Sequence, residues 1–243
     1  MSKPICAIVG AGEGLGRSLA AKFAGEGFDI GLISRSEEGS CAAIDAAVTA
    51  RVNTKTRHFP ADATQPSSIE QAMGSLVDVF GDVDVLIYNV CDGFPRCEPL
   101  DMDYDEMERV FRLEVVGAFA ATKSVLPAMR QRGSGSILYS SATAALRGSA
   151  SYPLYAIGKF GLRALTQSLA RAYSKDGVHI VHIRLDCDLD VPRMRELYGD
   201  RYDPDILADP DAVAESYWLV HCQPRSAWSN EVELRPHMEN WTC

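Results

Sequence analysis

Tyr155 and Lys159 are the residues of this sequence whose types and spacing most readily point to chemistry. They stand four residues apart near the start of a predicted helix over about residues 153–174. Residues four apart share one face of a helix, so the phenol and the ammonium would lie about one turn apart. The neighbouring cation favours the phenolate, so Tyr155 could act as a general acid or base below its ordinary pKa of about 10. Solvated helix surfaces carry such pairs too, and the surrounding sequence has to distinguish the two cases.

The elements that would position this pair alternate between strand and helix. Short apolar runs predict strands at 4–9, 28–34, 56–60, 83–89, 136–141, 178–185 and 231–235. Helical spacing predicts helices at about 15–24, 37–52, 67–80, 104–129, 153–174 and 210–220. Asp103 and Glu106 resemble a capping box at the start of the long fourth helix. The alternation predicts an α/β fold with a doubly wound parallel sheet, helices on both faces and a site at the carboxyl ends of the strands.

Composition and charge restrict the class of protein. With 243 residues, of which 47% are hydrophobic, the chain can bury one large core, and we expect a single domain over residues 1–243. The net charge of −9 and the absence of a basic stripe argue against a nucleic-acid partner. No apolar run approaches the roughly 18 residues of a membrane span, and no cleavable apolar segment is visible at the N-terminus. We therefore expect a cytoplasmic protein that does not contact membranes.

Cysteine and histidine spacing predicts no metal site. The seven cysteines are scattered without a CxxC pair, as expected of reduced thiols, at positions 6, 41, 91, 97, 187, 222 and 243. His179 and His182 are three apart in a predicted strand, so their side chains would point to opposite faces.

A glycine-rich loop follows the first predicted strand. Its sequence is Gly10-Ala-Gly-Glu-Gly-Leu-Gly16, and a helix begins immediately afterwards. Backbone without side chains can approach a pyrophosphate closely, and the helix N-terminus offers unsatisfied N–H groups to its charge. The alternative is a turn whose glycines only let helix and strand pack. The position in an alternating α/β chain favours nucleotide binding, with candidate residues Gly10, Gly14, Leu15 and Gly16.

Three features occur here in a characteristic order: this loop, Asn89 at the end of the fourth predicted strand, and Tyr155-x-x-x-Lys159. With them, nearly the whole sequence resembles the short-chain dehydrogenase/reductase family. The resemblance implies a Rossmann-type sheet of about seven strands, a nicotinamide cofactor and hydride transfer to or from a carbonyl or alcohol carbon. It also implies that Tyr155 exchanges the proton at the substrate oxygen. Lys159 would lower the tyrosine pKa and hold the cofactor ribose, while Asn89 would support the cofactor site from the strand end.

The end of the second predicted strand bears on cofactor preference. An acidic residue there would bind ribose hydroxyls and repel a 2′-phosphate, but this chain has Ser34 and Arg35. We therefore expect NADP(H) rather than NAD(H), although Arg35 could be an ordinary surface arginine, and Glu37 and Glu38 weaken the local positive field. Asp62 stands at the family position that contacts the adenine amine, and it could equally cap a helix.

Two positions depart from the family pattern near the expected chemistry. Ala142 stands where the family has its catalytic serine, between Ser141 and Thr143. Ser141 is the candidate replacement, although in an extended backbone both neighbours face away from residue 142. Glu114 stands where the family usually has an asparagine in the long helix. If ionised, it could pair with Lys159 and weaken the pull of the lysine on the tyrosine.

A third departure follows the sixth predicted strand. Leu185-Asp186 replaces the Pro-Gly turn of the family, and Asp188 and Asp190 follow at once. These carboxylates could cap the turn and the following segment, or they could contact a cationic substrate.

The sequence thus predicts an NADP(H)-dependent oxidoreductase acting on a small carbonyl or alcohol. A nicotinamide-nucleotide-binding protein without turnover is the alternative, motivated by Ala142 and Glu114. A lyase or epimerase on the same scaffold has no sequence feature in its favour. Apolar positions on more than one face of the helices at 104–129 and 153–174, together with the resemblance, predict a homodimer or homotetramer.

Overall fold

The computed structural model describes residues 3–91 and 96–238, which form one seven-stranded sheet. The strand order is β3-β2-β1-β4-β5-β6-β7, and every neighbouring pair is parallel. The strands are β1 Ile5–Val9, β2 Asp29–Ser34, β3 Thr56–Pro60, β4 Val85–Tyr88, β5 Gly135–Ala142, β6 Val178–Leu185 and β7 Glu231–Leu234. The predicted doubly wound, Rossmann-type sheet is confirmed.

Helices cover both faces of this sheet. They are α1 Leu15–Gly25, α2 Cys41–Ala50, α3 Pro66–Phe80, α4 Tyr104–Phe111, α5 Gly117–Arg132, α6 Pro153–Tyr173, α7 Pro192–Tyr198 and α8 Pro210–His221. The short α7 was not predicted from hydrophobic spacing, because none of its residues is buried. No helix in the described ranges is long and apolar enough to cross a membrane.

The central strands β1 and β4 are apolar and buried over their whole length because both faces of the sheet are covered there. In β1 all five residues are buried, and they alternate between two cores. Ile5, Ala7 and Val9 pack with α3, α5 and α6, whereas Cys6 and Ile8 pack with α1, α2 and α8. From β1, the strands β2 and β3 are added on one side and the strands from β4 onwards on the other, so the order of the strands reverses at β1. Open α/β sheets bind ligands at this crevice, beyond the carboxyl ends of the strands.

The long fourth helix is interrupted, which corrects the prediction of one continuous helix over 104–129. A π-helical turn at Arg112–Val116 separates α4 from α5. A Cβ added to Gly117 would lie 2.3 Å from the Ala63 carbonyl oxygen and 2.6 Å from the Tyr88 hydroxyl, so only glycine fits beneath this turn. The Tyr88 hydroxyl donates a 2.5 Å hydrogen bond to the Leu113 carbonyl. A side chain from β4 therefore satisfies a carbonyl in the wide turn, and hydrophobic spacing does not record such a contact.

Candidate active site

The glycine-rich loop leaves β1 with a backbone that only glycine accepts. Gly10 has φ +89°, and a Cβ there would lie 2.5 Å from the Asn89 carbonyl oxygen. A Cβ on Gly16 would lie 2.8 Å from the Gly10 carbonyl oxygen and 2.8 Å from Ala11 Cα, so the first turn of α1 rests directly on the loop. These two glycines permit close packing of helix and strand, which is the structural role that the sequence offered as the alternative to nucleotide binding.

The same loop also leaves room for a ligand. A Cβ on Gly12 would meet no described atom within 4 Å. Gly14 is the N-cap of α1 and supplies no side-chain cap, so the amides of the first turn are open to an anion. Val191, in the segment after β6, approaches to 3.4 Å from the Cβ position of Gly14 and closes one side. These residues fit the pyrophosphate of a dinucleotide cofactor.

Asn89 holds the loop from the end of β4. Its amide Nδ2 donates to the Gly10 carbonyl at 3.1 Å, and its backbone N–H donates to the Val9 carbonyl at 2.8 Å. The side chain thus fixes the exit of the chain from β1, where the expected cofactor would lie.

Ser34 and Arg35, at the end of β2, differ in whether their side chains are already occupied by contacts within the protein. The Ser34 hydroxyl contacts the Ser36 carbonyl at 2.9 Å, Ser40 Oγ at 2.7 Å and His58 Nε2 at 3.0 Å. A hydroxyl has one donor and two acceptor positions, so these three partners occupy its capacity. Arg35 is exposed, and no described carboxylate lies within 4.0 Å of its guanidinium. Of the two residues, Arg35 is the one that can reach a ligand without losing internal contacts.

Asp62 lies in the loop between β3 and α3, and its carboxylate has local partners. Its Oδ1 accepts from Thr64 N at 2.9 Å and from Thr64 Oγ1 at 2.8 Å. These bonds close a local turn before α3. They do not make Asp62 a helix cap, because the N-cap of α3 is Gln65. One oxygen makes both bonds, so the arrangement also leaves Oδ2 for a ligand.

The Tyr155 and Lys159 side chains lie together on the first two turns of α6. Lys159 Nζ is 5.7 Å from the centroid of the Tyr155 ring and 3.5 Å from the Ser140 carbonyl oxygen at the end of β5. It also donates a 2.9 Å hydrogen bond to Glu114 Oε2 in the π-helical turn. A Cβ on Gly158 would lie 2.8 Å from Glu114 Cγ, so this glycine makes room for the carboxylate. The structure therefore brings Glu114 to Lys159, as the sequence allowed.

The pKa values of Tyr155 and Lys159 depend on more groups than these two side chains. Burial raises the pKa of Tyr155, and the opposing effect of Lys159 does not offset it, while Cys91, Glu114 and Asp188 raise the pKa further. Burial lowers the pKa of Lys159, but Glu114 and then Tyr155 raise it above its ordinary value. We expected Lys159 to bring the pKa of Tyr155 below its ordinary value, and the net direction is the opposite.

The hydroxyls near Ala142 are divided between the two faces of the sheet. Ser140 Oγ lies 2.7 Å from the Tyr217 hydroxyl of α8. Because side chains alternate along a strand, Ser141 faces the opposite layer, which contains α6. Ser141 is buried, and its Oγ has no hydrogen-bond partner among the described residues. It is therefore on the correct side of the sheet to approach the tyrosine–lysine pair, but it is not at the position of the serine in the family.

Thr143 is committed elsewhere. Its hydroxyl donates to Asp186 Oδ1, just beyond β6. Asp186 is buried and forms an ion pair with Arg235, which also bonds Glu233 at 2.9 Å. Because an ionised carboxylate only accepts hydrogen bonds, Thr143 must direct its proton towards Asp186. Sequence reasoning singled out Asp186 but missed Arg235, which follows the last strand and carries no local motif.

The two other aspartates of this segment also have protein partners. Asp188 Oδ2 accepts from the Tyr198 hydroxyl at 2.9 Å. Asp190 accepts from Arg195 Nε at 2.6 Å and from the Tyr202 hydroxyl at 3.2 Å. These contacts brace the segment around α7, which supports the structural interpretation of the aspartates rather than a site for a cationic substrate.

Comparison with known proteins agrees with this arrangement. Residues 4–187 match the model of the short chain dehydrogenase family. A trans-4-hydroxycyclohexanecarboxylate dehydrogenase from Sinomonas cyclohexanicum is 32% identical over 175 residues, covering 70% of this chain and 66% of the relative. A levodione reductase from Leifsonia aquatica is 27% identical over 173 residues, covering 71% of this chain and 65% of the relative. The aligned part thus spans about two thirds of the length of these two relatives.

Among solved structures, the L-sorbose reductase from Gluconobacter frateurii, crystallised with NADPH and L-sorbose, has the same fold. Its TM-score is 0.85 at 20% identity, with 98% of this chain and 97% of that chain covered. The family match extends from β1 to the residues just beyond β6, and so includes the glycine-rich loop, Asn89, Tyr155 and Lys159. This chain therefore belongs to the short chain dehydrogenase family.

Proposed function

We propose that the protein is an NADP(H)-dependent oxidoreductase that interconverts a small carbonyl compound and the corresponding alcohol. The observation that carries the proposal is the placement of Tyr155 and Lys159 at the carboxyl edge of the sheet. Lys159 Nζ lies 3.5 Å from the Ser140 carbonyl oxygen near the carboxyl end of β5, and Tyr155 is one turn earlier on the same helix.

Each residue has a distinct task in this reaction. A bound nicotinamide would supply the hydride to the substrate carbon, or accept it in the reverse direction. Tyr155 donates its phenolic proton to the carbonyl oxygen during reduction and takes a proton from the alcohol during oxidation. Lys159 remains cationic and stabilises the phenolate left after the proton transfer. The amides at the start of α1 and the glycines before it hold the pyrophosphate.

The preference for NADP(H) is supported by Arg35. Its guanidinium is exposed beyond β2, and a planar guanidinium suits bidentate recognition of a 2′-phosphate. The L-sorbose reductase of the same fold was crystallised with NADPH. The two relatives are named for a reductase and for a dehydrogenase of a hydroxylated ring compound, which supports a small carbonyl or alcohol as substrate.

Binding and turnover test this proposal together. NADPH and NADH are titrated into the protein, and a panel of small ketones and alcohols is screened with each cofactor. Tyr155→Phe should lower kcat by about 10²–10⁴ because it removes the proton donor. Its Kd for NADPH should stay within about twofold of the wild-type value, because the phenyl ring keeps the shape of the side chain. Undiminished turnover by Tyr155→Phe would overturn the assignment.

A nicotinamide-nucleotide-binding protein without turnover is the second candidate. It is favoured by the absence of a hydroxyl at Ala142, next to a Thr143 hydroxyl that is already donated to Asp186. Tight NADPH binding by the wild-type chain, with no reduction of any substrate in the panel, would establish this alternative in place of the first.

We also propose that the protein assembles as a homodimer or homotetramer. Phe111, Phe119 and Phe160 are 44%, 43% and 42% exposed on α4, α5 and α6. Exposed aromatic side chains on adjacent helices are typical of a surface that a second copy covers. Light scattering after size-exclusion chromatography should give at least twice the chain mass. A monomer at all concentrations would contradict the proposal.

A further inference from the structure

Glu114 and Lys159 form a buried ion pair beside the proposed proton donor. Their side chains are 0% and 3% exposed, and Nζ lies 2.9 Å from Oε2. The chain contains an exposed counterpart, Glu70 with Lys123 at 3.2 Å, on α3 and α5. Taking two charges out of water is costly, and hydrophobic residues often serve stability equally well or better. The buried pair therefore calls for a reason other than stability.

The surroundings show what the pair controls. The titratable groups that act electrostatically on Tyr155 or Lys159 include Glu114 from the π-helical turn, Cys91 after β4 and Asp188 after β6. Lys159 in turn acts on His182 of β6 and on Tyr217 of α8. At Tyr155, Lys159 favours the phenolate, whereas Cys91, Glu114 and Asp188 disfavour it. The Glu114 carboxylate, in direct contact with the Lys159 ammonium, opposes the field of that cation at the phenol.

We propose that Glu114 is a positioning residue that draws Lys159 towards the π-helical turn and keeps Tyr155 a neutral phenol, so that the site works as a carbonyl reductase at neutral pH. This inference rests on the proposed function, because it assigns the direction of that reaction. It also gives a role to a residue that stands where the family usually has an asparagine.

The direction follows from the proton each reaction needs. Reduction adds a hydride from the nicotinamide to the carbonyl carbon and a proton from the phenol to the oxygen, so it requires the neutral form of Tyr155. Oxidation returns the hydride to the nicotinamide and requires the phenolate to take the alcohol proton. The pKa of Tyr155 is raised by burial, so the phenolate forms only as the pH rises through that raised value. Reduction is thus supported throughout the neutral range, and oxidation gains with increasing pH.

The first test uses the protein without cofactor. Carbon-13 NMR of labelled tyrosine follows the ring carbon that bears the hydroxyl, and Tyr155→Phe identifies the signal among the nine tyrosines. Glu114→Gln should lower the titration midpoint of Tyr155 by about one pH unit or more, because Lys159 then acts on the phenol without an opposing charge. Glu114→Asp keeps the charge and should leave the midpoint near the wild-type value.

Two further variants keep the test decisive. Glu70→Gln removes the carboxylate of the exposed pair and should leave the Tyr155 signal unchanged. If Glu114→Gln does not fold, Glu114→Asn places the residue type of the family at this position and should lower the midpoint in the same direction. An unchanged midpoint in the folded Gln or Asn variant overturns the inference.

The second test uses the enzyme with cofactor and substrate. Glu114→Gln should increase alcohol oxidation near pH 8 about tenfold for each pH unit by which the Tyr155 midpoint falls, while reduction near pH 7 changes little. If neither protein reduces any carbonyl compound, the proposed function fails, and the NMR midpoint still decides whether Glu114 controls Tyr155. An active enzyme with an unmoved midpoint leaves the function intact and removes the role of Glu114.

Discussion

The glycine-rich loop after β1 and the segment from Ala142 to Lys159 meet at the same edge of the sheet, but they are built differently. The loop acts through backbone, with Gly10 and Gly16 packed where any Cβ would collide with backbone atoms. The second segment acts through side chains whose partners come from distant parts of the chain, including Glu114 for the lysine.

This difference explains where the chain departs from its family. A site made of backbone depends on a few neighbouring glycines, and this chain keeps those glycines in the order typical of the family. A site made of side chains depends on every group that faces it, so substitutions such as Glu114 and Ala142 can change its chemistry while Tyr155-x-x-x-Lys159 stays in place. The following variants probe the two regions, from the largest expected effect to the smallest.

Removal of Lys159 tests how strongly the second segment depends on a distant partner. Lys159→Met leaves the Glu114 carboxylate buried without its ammonium partner and should lower the free energy of unfolding by about 3–5 kcal/mol. Lys159→Met combined with Glu114→Gln should recover most of that loss, because neither residue of the pair then carries a charge. Urea denaturation of the two single variants and the double variant measures this. Equal losses in Lys159→Met and the double variant would show that the charge of Glu114 does not matter.

The loop can be tested at two glycines that differ in their surroundings. Gly10→Ala forces a side chain onto a φ of +89° and to 2.5 Å from a backbone oxygen, so unfolding should become easier by at least about 2 kcal/mol. The Cβ added by Gly12→Ala lies within 4 Å of no described atom, so the free energy of unfolding should change by less than about 0.5 kcal/mol. The same methyl group enters the space expected for the cofactor and should weaken NADPH binding. Denaturation and NADPH titration separate the effects. Equal stability of the two variants would contradict this account of the loop.

The missing hydroxyl of the second segment can be restored. Ala142→Ser adds a donor at the position of the family serine and should raise kcat for carbonyl reduction by about tenfold or more, since one such donor is worth about 10²–10³ in other enzymes. Ala144→Ser, two residues further along, is the matched control and should have no effect. Unchanged kcat in Ala142→Ser would show that another group, such as Ser141, already polarises the substrate oxygen.

The smallest expected effect concerns the edge of the cofactor region. Arg35→Ala should weaken NADPH binding by about tenfold and NADH binding much less, because a charge-assisted contact to the 2′-phosphate is worth about 1.5–3 kcal/mol. Arg171→Ala, at the far end of α6, should affect neither cofactor. Equal weakening of NADPH and NADH by Arg35→Ala would remove the assignment of cofactor preference to this residue.

Much of the fold could be predicted because its signals are local. The run Val178–Leu185 was predicted as a strand with the same bounds that the structure has, since most of its residues are apolar and its first six are buried. The glycine-rich loop could also be predicted from the sequence, because its proposed function depends on the absence of side chains in one short stretch. Spacing did not predict the π-helical turn, since it depends on contacts between Gly117, Ala63 and Tyr88.

The sequence by itself determined the alternating elements, the loop and the presence of Tyr155 beside Lys159, because each is encoded by residues within a few positions of one another. Tertiary structure decided what surrounds them: Glu114 on the lysine, Asp186 on Thr143, and three internal partners on Ser34. Hydrogen bonds and ion pairs act over a few ångströms in space rather than along the chain. The charge state of the proposed proton donor is therefore a property of the folded neighbourhood.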